Sequence, residues 1–454
     1  MPCACGPWTK AERVTRFDRF EVLTKDQHPM AAGDLNASSV KLIYAARALR
    51  GFGDGFAIIL LPVYLTAIGY GPAEIGIVAT LALLGSAATT LAVGMLARHY
   101  PLRTLLLIGA GLMVVTGMVL PAFEPFALIA LVAFFGTINP SSGDIGLLVP
   151  LEHASLAQGV AHDRRTSTFA RYSLIGALAS AGGSLAAAMP QFLSAGGLDE
   201  ITAIRLMFVF YAVLGLCAAG LYALIPRQRR AETKSPPAVL GRSRSIVIKL
   251  AALFSLDAFA GGFVVQSLLA LWLFERFELS LAQASLFFFW SNFLAAFSYP
   301  VAAWLGRKIG LINTMVFTHI PSSLCLIAAA FAPNLTVALV LLLVRSALSQ
   351  MDVPTRTSYV MAVVTPEEQA AAASFTAVPR TLASSISPAF GGFLLAGSFL
   401  GTPLVICGVL KIVYDIALLF SFRHIKPPEE QSATRITTDP ERNGGLNEAV
   451  REPR

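Results

Sequence analysis

Twelve apolar runs dominate this chain, and they leave few folds open to it. They cover about residues 42–69, 73–97, 104–123, 126–150, 168–193, 203–225, 246–274, 281–305, 312–332, 335–356, 371–397 and 401–422. Each holds roughly twenty residues, the length at which a helix rising ~1.5 Å per residue crosses a hydrocarbon layer of about 30 Å. Inside such a layer the backbone must bond to itself, so runs of this kind become helices. Only 13% of the 454 residues are charged and 55% are hydrophobic, so most of the chain does not face water. The 36 glycines suit helices that pass close to one another in lipid. The expected fold class is an all-α integral membrane protein with twelve transmembrane helices.

The runs fall six and six about a basic stretch, PRQRRAETKSPPAVLGRSRS, at residues 226–245. The expected organisation is an N-terminal tail over 1–38, a six-helix bundle over 39–225, the linker over 226–245, a second six-helix bundle over 246–425, and a C-terminal tail over 426–454. The first forty residues are charged and lack an apolar core, so no cleavable signal peptide is visible and the first span is expected to act as the targeting signal. Loops after the even-numbered runs carry Arg98, Arg103, Arg164, Arg165, Arg307 and Lys308; the other loops are nearly free of base, with Arg205 and Arg276 as exceptions. Short basic loops stay in the cytoplasm, which places the linker and both termini there, in a multi-pass protein of the cell (inner or plasma) membrane. The formal charge of +7 arises from these loops and points to orientation in lipid, not to nucleic acid. Cys3 and Cys5 lie in the tail, and Cys217, Cys325 and Cys407 lie singly in separate runs, without the spacing of a metal site. The six histidines are scattered. No cofactor, metal or enzymatic constellation is expected.

The halves repeat. FARYSLIGALASAGG (169–183) lines up with FTAVPRTLASSISPAFGG (375–392), setting Arg171 on Arg380 and Gly182-Gly183 on Gly391-Gly392 at a spacing of 209 residues. Arg98 falls on Arg307 at the same spacing. Two pseudo-symmetric six-helix bundles joined by a basic loop is the layout of a secondary transporter built from parallel repeats.

At these residues the chain resembles a major facilitator superfamily transporter, over about residues 40–425. That family marks the loop after its second helix with Gly-x-x-x-Asp-Arg-x-Gly-Arg-Arg. The matching stretch here is Gly94-Met-Leu-Ala-Arg98-His99-Tyr-Pro101-Leu-Arg103, which keeps the glycine and the last base but has Arg98 where the acid belongs. The second-half copy, Ala303-Trp-Leu-Gly306-Arg307-Lys308-Ile-Gly310, also lacks the acid. The resemblance implies the major facilitator fold and a gating role for Gly94, Arg98, Arg103, Arg307 and Lys308, without the gating contact that the acid makes. Exporters of the family often carry Gly-Pro-x-x-Gly-Gly on helix five. Here Leu178-Ala-Ser-Ala-Gly182-Gly183 stands there, and the closer match, Ser387-Pro388-Ala-Phe-Gly391-Gly392, lies on helix eleven. This hints at export, and glycines that merely let helices pack explain it nearly as well.

The resemblance further implies that helices one, four, seven and ten line a central cavity. Asp54 on the first and Asp257 on the seventh lie roughly 18 Å into their runs. A carboxylate at that depth is costly unless it faces water or a partner, so both are expected to open onto a shared aqueous chamber between the halves. Desolvated and away from a base, either can exchange protons near neutrality. Direct substrate binding, and static pairing with Arg47, Arg50 or Arg345, stay open as alternatives. Arg345 is the deepest cation and can hold a carboxylate or the anionic group of a substrate. Asn139, Gln266, Gln350, Tyr64 and Trp272 complete the expected substrate cavity, although aromatics are also common at the lipid interface. Asp144 with Arg171 and Asp352 with Arg380 are approximate repeat mates, read as a gate at the inner mouth or as fixed register pairs. Lys411 and Asp415, at i,i+4, read as a local neutralising pair, and His319 and Pro321 as packing and a kink. The expected function is proton-coupled export of a small organic or amphipathic compound by alternating access. The alternative is proton-coupled uptake of a small organic anion, favoured by Arg345. The expected partners are that substrate, protons and the lipid bilayer, with the chain acting as a monomer.

Overall fold

The computed structural model describes residues 37–96, 99–141, 146–159, 165–226, 240, 241, 243–365 and 368–425. Arg98, Asp144 and nearly all of the expected tails and linker lie outside these residues. The described chain is helical: α1 (Ala37–Ala67), α2 (Pro72–Leu96), α3 (Leu102–Ala122), α4a (Phe126–Phe135), α4b (Leu148–Gly159), α5a (Arg165–Ala186), α5b (Met189–Ala195) and α6 (Glu200–Ala223) form the first half. The second half holds α7a (Arg244–Gly262), α7b (Gln266–Phe277), α8 (Leu281–Ile309), α9 (Leu311–Ala330), α10a (Leu335–Ser349), α10b (Asp352–Val363), α11 (Gln369–Leu395) and α12 (Thr402–Phe422). Among the described residues, ten spans are long and apolar enough to cross a membrane. Together with the interrupted α4 and the long α11 they make the twelve-helix, two-bundle fold expected of the runs.

Starts are set by local side chains. Asp199 accepts from the amide of Thr202 to cap α6, Asn334 from that of Val337 to cap α10a, and Ser280 and Gln283 form a reciprocal capping box on α8. The run 126–150, expected as one helix, is interrupted: α4a ends at Phe135, α4b starts at Leu148, and the described residues between them, 136–141, 146 and 147, are not helical. Pro140 has no amide to donate, and Gly146 takes φ +143, which suits a residue without Cβ. The tenth span breaks similarly at Gln350 and Met351; Pro354 falls in the first turn of α10b, where its missing amide costs nothing.

Large apolar side chains such as Leu131, Phe210, Leu216, Phe317, Phe393 and Phe420 stay exposed on the outside of the bundle, a surface matched to acyl chains. Inside, one apolar core joins the halves at the end away from the linker, bringing Phe56, Tyr64 and Ile75 together with Leu268, Trp272 and Phe288. There α2 meets α11 so closely that a Cβ on Gly76 would lie 2.8 Å from the Cα of Gly392. Asn292 donates to Ser184 at 3.1 Å across the seam, and the amide of Ala389 donates to Thr80 at 2.8 Å. At the linker end each half keeps its own apolar cluster, Ile43, Leu105 and Tyr222 in one and Val247, Tyr359 and Phe422 in the other. The halves are therefore sealed together at the far end and divide toward the linker.

Candidate functional site

A polar hollow lies where the broken α7 faces α8 to α12. It has a volume of about 290 Å³ and is lined by Asp257, Gln266, Asn292, His319, Arg345, Gln350, Arg380 and Lys411 and by several serines, with Leu83 and Ser141 from the first half. Small hydroxyl residues at Ser322, Ser346 and Ser385 leave the room that larger side chains would fill. Gln266, at the start of α7b, donates to Asn292 at 2.8 Å, tying the rim of the α7 break to the seam.

Buried charge is concentrated beside this hollow. Asp257 accepts from Lys411 at 2.7 Å and from Arg356 at 3.1 Å, and Arg356 also reaches Asp352, one turn earlier on α10b, at 3.2 Å. Each ion taken out of water costs several kcal/mol, so such groups persist only in mutual contact. This corrects three expectations. Asp257 is not away from a base but between two. Lys411 crosses to α7a, while Asp415 bonds His319 at 3.0 Å, so the i,i+4 pair on α12 does not form. His319, read as packing, is a polar bridge on α9.

The expected pair Asp352–Arg380 is replaced by Asp352–Arg356, because the short helix α10b puts the two at i,i+4 on one face. Among the described residues, Arg380 then has no carboxylate bonded to it and its Nε has no hydrogen-bond partner. Arg345 likewise lines the hollow with no ion pair among the described residues, its carbonyl accepting from Ser322. Two guanidinium groups thus line the same space with no carboxylate bonded to either among the described residues, the nearby Asp257 being taken up by Lys411 and Arg356.

The first half carries a separate cluster. Arg50 of α1 pairs with Glu152 of α4b, and Tyr172 and Tyr222 each donate to the same carboxylate at 2.5 Å. Arg47 lies 5.1 Å over the Tyr172 ring. Asp54 accepts from the Tyr211 hydroxyl at 3.2 Å and lines, with Asn139, a hollow of only about 30 Å³. Among the described residues, the two midplane acids therefore line separate hollows, where the sequence predicts a shared chamber. Glu152 and Arg356 escaped the sequence reading; both are buried charges just beyond a break in an apolar run, which is the only signal they leave.

Tyr64 and Trp272 are fully buried in the far-end core, where Tyr64 donates to the Leu120 carbonyl at 3.0 Å, and neither lines the hollow. The reason is their level: both stand where the halves are sealed. Among the expected gating residues, Gly94 lies in the last turn of α2, Arg103 is half-buried at the start of α3, and Arg171, Arg307 and Lys308 are exposed, with Lys308 4.6 Å over Trp304. The partner expected for Arg171, Asp144, lies outside the described residues, as does Arg98.

A bundle of twelve spans in two halves, closed at one end around a charged central hollow, is the architecture of a secondary membrane transporter. The model of the Major Facilitator Superfamily matches residues 43–256 and again 250–452, so the chain belongs to that superfamily. It is 25% identical over 420 residues to the uncharacterized membrane protein YJR124C of Saccharomyces cerevisiae, covering 84% of this chain and 94% of the yeast protein. Its fold is similar to that of the nucleoside transporter NupG, with a TM-score of 0.69 at 13% identity over 85% of this chain and 99% of that one. A D-xylose-proton symporter matches with a TM-score of 0.68 at 15% identity, over 87% and 99%. An inward-facing, occupied bacterial homolog of the human lysosomal transporter Spinster matches at 0.67 and 16% identity, over 86% and 97%.

Proposed function

We propose that this transporter carries a small organic anion through the second-half hollow, coupled to protons and directed inward. The observation that carries the reading is the pair Arg345 and Arg380, two guanidinium groups lining one hollow with no bonded carboxylate among the described residues. A desolvated cation without a partner is costly, and an acidic substrate group supplies the partner through charge-assisted, often forked hydrogen bonds. Gln266, Gln350 and Asn292 offer neutral donors and acceptors to the rest of the molecule. The hint of export loses weight, since Gly391 and Gly392 are needed for packing. Gly392 meets Gly76, and a Cβ on Gly391 would press on the Phe263 carbonyl at 2.5 Å.

Alternating access follows from the two ends. Closing the linker-end gap while parting the far-end seam would pass the hollow from one side to the other. Arg103, Arg307 and Lys308 at the linker end support a cytoplasmic position for it in the cell membrane.

The test is counterflow in proteoliposomes with a labelled monocarboxylate, a dicarboxylate, a sugar phosphate, and neutral and cationic amphiphiles. At least one acid should exchange, and Arg345→Gln and Arg380→Gln should each lower its exchange by about 10- to 100-fold. Exchange of the amphiphiles alone, or of an acid that ignores both substitutions, contradicts the proposal.

A further inference from the structure

His319 stands between an acid and a base, and its two ring nitrogens face opposite demands. Nδ1 lies 3.0 Å from both carboxylate oxygens of Asp415, which accept only, so Nδ1 carries the proton and Nε2 keeps its lone pair. That lone pair faces the Lys411 ammonium at 3.3 Å, and Lys411 donates onward to Oδ1 of Asp257 at 2.7 Å. The same Oδ1 is 3.8 Å from Nε2. A proton arriving on Nε2 turns an acceptor into a donor directed at an ammonium, which has nothing to accept with. Two cations then compete for one oxygen. The imidazole is anchored by Asp415, whereas Lys411 is a flexible chain that borders the open hollow, so the lysine is the one to leave.

The surroundings favour this exchange. From α12, His319 meets Lys411, Asp415 and, edge-on at 6.0 Å, the ring of Tyr414. From α7a it meets Asp257, which Arg356 and Asp352 of α10b extend. Arg345 of α10a and Arg380 of α11 border the same hollow, and α8 contributes Ser291 and Asn292, which do not titrate. Within the bonded cluster three carboxylates, on Asp257, Asp352 and Asp415, face two fixed cations, on Lys411 and Arg356. One proton on His319 makes the cluster neutral.

We propose that His319 carries the coupling proton: protonation at Nε2 frees Lys411 from Asp257, and Lys411 joins Arg345 and Arg380 as a third anchor for the acidic group of the substrate. The inference rests on the anion reading above. Proton and anion then strengthen each other's binding reciprocally, and both leave when Lys411 returns to Asp257.

The test is 15N NMR of the full chain, labelled at histidine and lysine, in phospholipid nanodiscs without substrate, titrated from about pH 8 to about pH 5. His319→Gln and Lys411→Arg assign the two signals; should the first not fold, the second removes one signal and displaces the other. The expected result is an Nδ1–H imidazole that gains a proton on Nε2 over the same pH interval in which the Lys411 signal moves. A Lys411 signal that stays fixed while Nε2 is protonated, or moves while His319 stays neutral, overturns the proposal. In proteoliposomes, His319→Gln should make uptake of the transported acid indifferent to a pH gradient, with gradient-driven accumulation falling by more than about tenfold. Accumulation that survives in His319→Gln overturns it too. If no acid is carried by the wild type, the anion reading fails alone, and the NMR titration still decides whether His319 moves Lys411.

Discussion

Replacing Glu152 by Gln should damage the first bundle more than any other single-atom change in the molecule. Glu152 is 0% exposed and serves three donors at once: the Arg50 guanidinium and the hydroxyls of Tyr172 and Tyr222. An amide has one acceptor oxygen, and its NH2 would point at a group that also donates. Arg50, itself 6% exposed, would keep its charge with no acid bonded to it. Breaking a buried ion pair from one side costs about 3–5 kcal/mol. With the rule of roughly 2–4 °C per kcal/mol for a unit of this size, the unfolding temperature should fall by about 6–20 °C. Trp272, Trp290 and Trp304 all lie in the second half, so the first bundle is best followed by circular dichroism of the protein in nanodiscs. The double replacement Arg50→Met with Glu152→Met removes both charges together and should cost about 3 kcal/mol less than the sum of its single changes. A Glu152→Gln protein that melts with the wild type, or a double variant whose loss equals that sum, would refute the pairing.

Three further outcomes follow from the seam and the core. Asn292→Ala removes the bond across to Ser184 and the one from Gln266, about 1–2 kcal/mol, so spin labels at the far ends of α2 and α11 should report roughly tenfold more of a parted population; no change would show that this bond does not hold the seam. Gly76→Val puts side-chain atoms where Gly392 already stands and should lower the unfolding temperature by an amount worth about 1–3 kcal/mol, which unchanged melting would contradict. Trp272→Phe loses no hydrogen bond, since the indole Nε1 has no partner among the described residues; transport affinity should stay within about twofold while stability drops by about 1–2 kcal/mol, and a large affinity loss would return Trp272 to the substrate path.

The architecture was legible because its determinants are one-dimensional: a span announces itself by length and apolarity, and a duplicated bundle by Arg171 over Arg380 and Arg98 over Arg307. The site was legible only as an inventory. Asp54, Asp257 and Arg345 declare themselves as ions at depth, but which ion meets which depends on how each helix is turned about its axis, and neighbours fix that turn. Lys411 and Asp415 are one turn apart and look like partners, yet α12 offers one to Asp257 on α7a and the other to His319 on α9. Glu152 and Arg50 are 102 residues apart, and nothing local joins them. The breaks in α4 and α10 matter most. An apolar run that continues past Pro140 or Gln350 reads as one helix, while the short inner segments α4b and α10b carry the buried ions Glu152 and Arg356.

The claim on which this account turns is that the hollow beside α7 wants negative charge. Equilibrium binding of a matched pair, a transported carboxylic acid and its neutral primary amide, measures this directly on the purified wild type. Charge-assisted bonds to two guanidinium groups are worth about 1.5–3 kcal/mol each, so the acid should bind at least about 100-fold more tightly than the amide. Equal affinity for the two, or tighter binding of the amide, would contradict the assignment of Arg345 and Arg380 as the anion site.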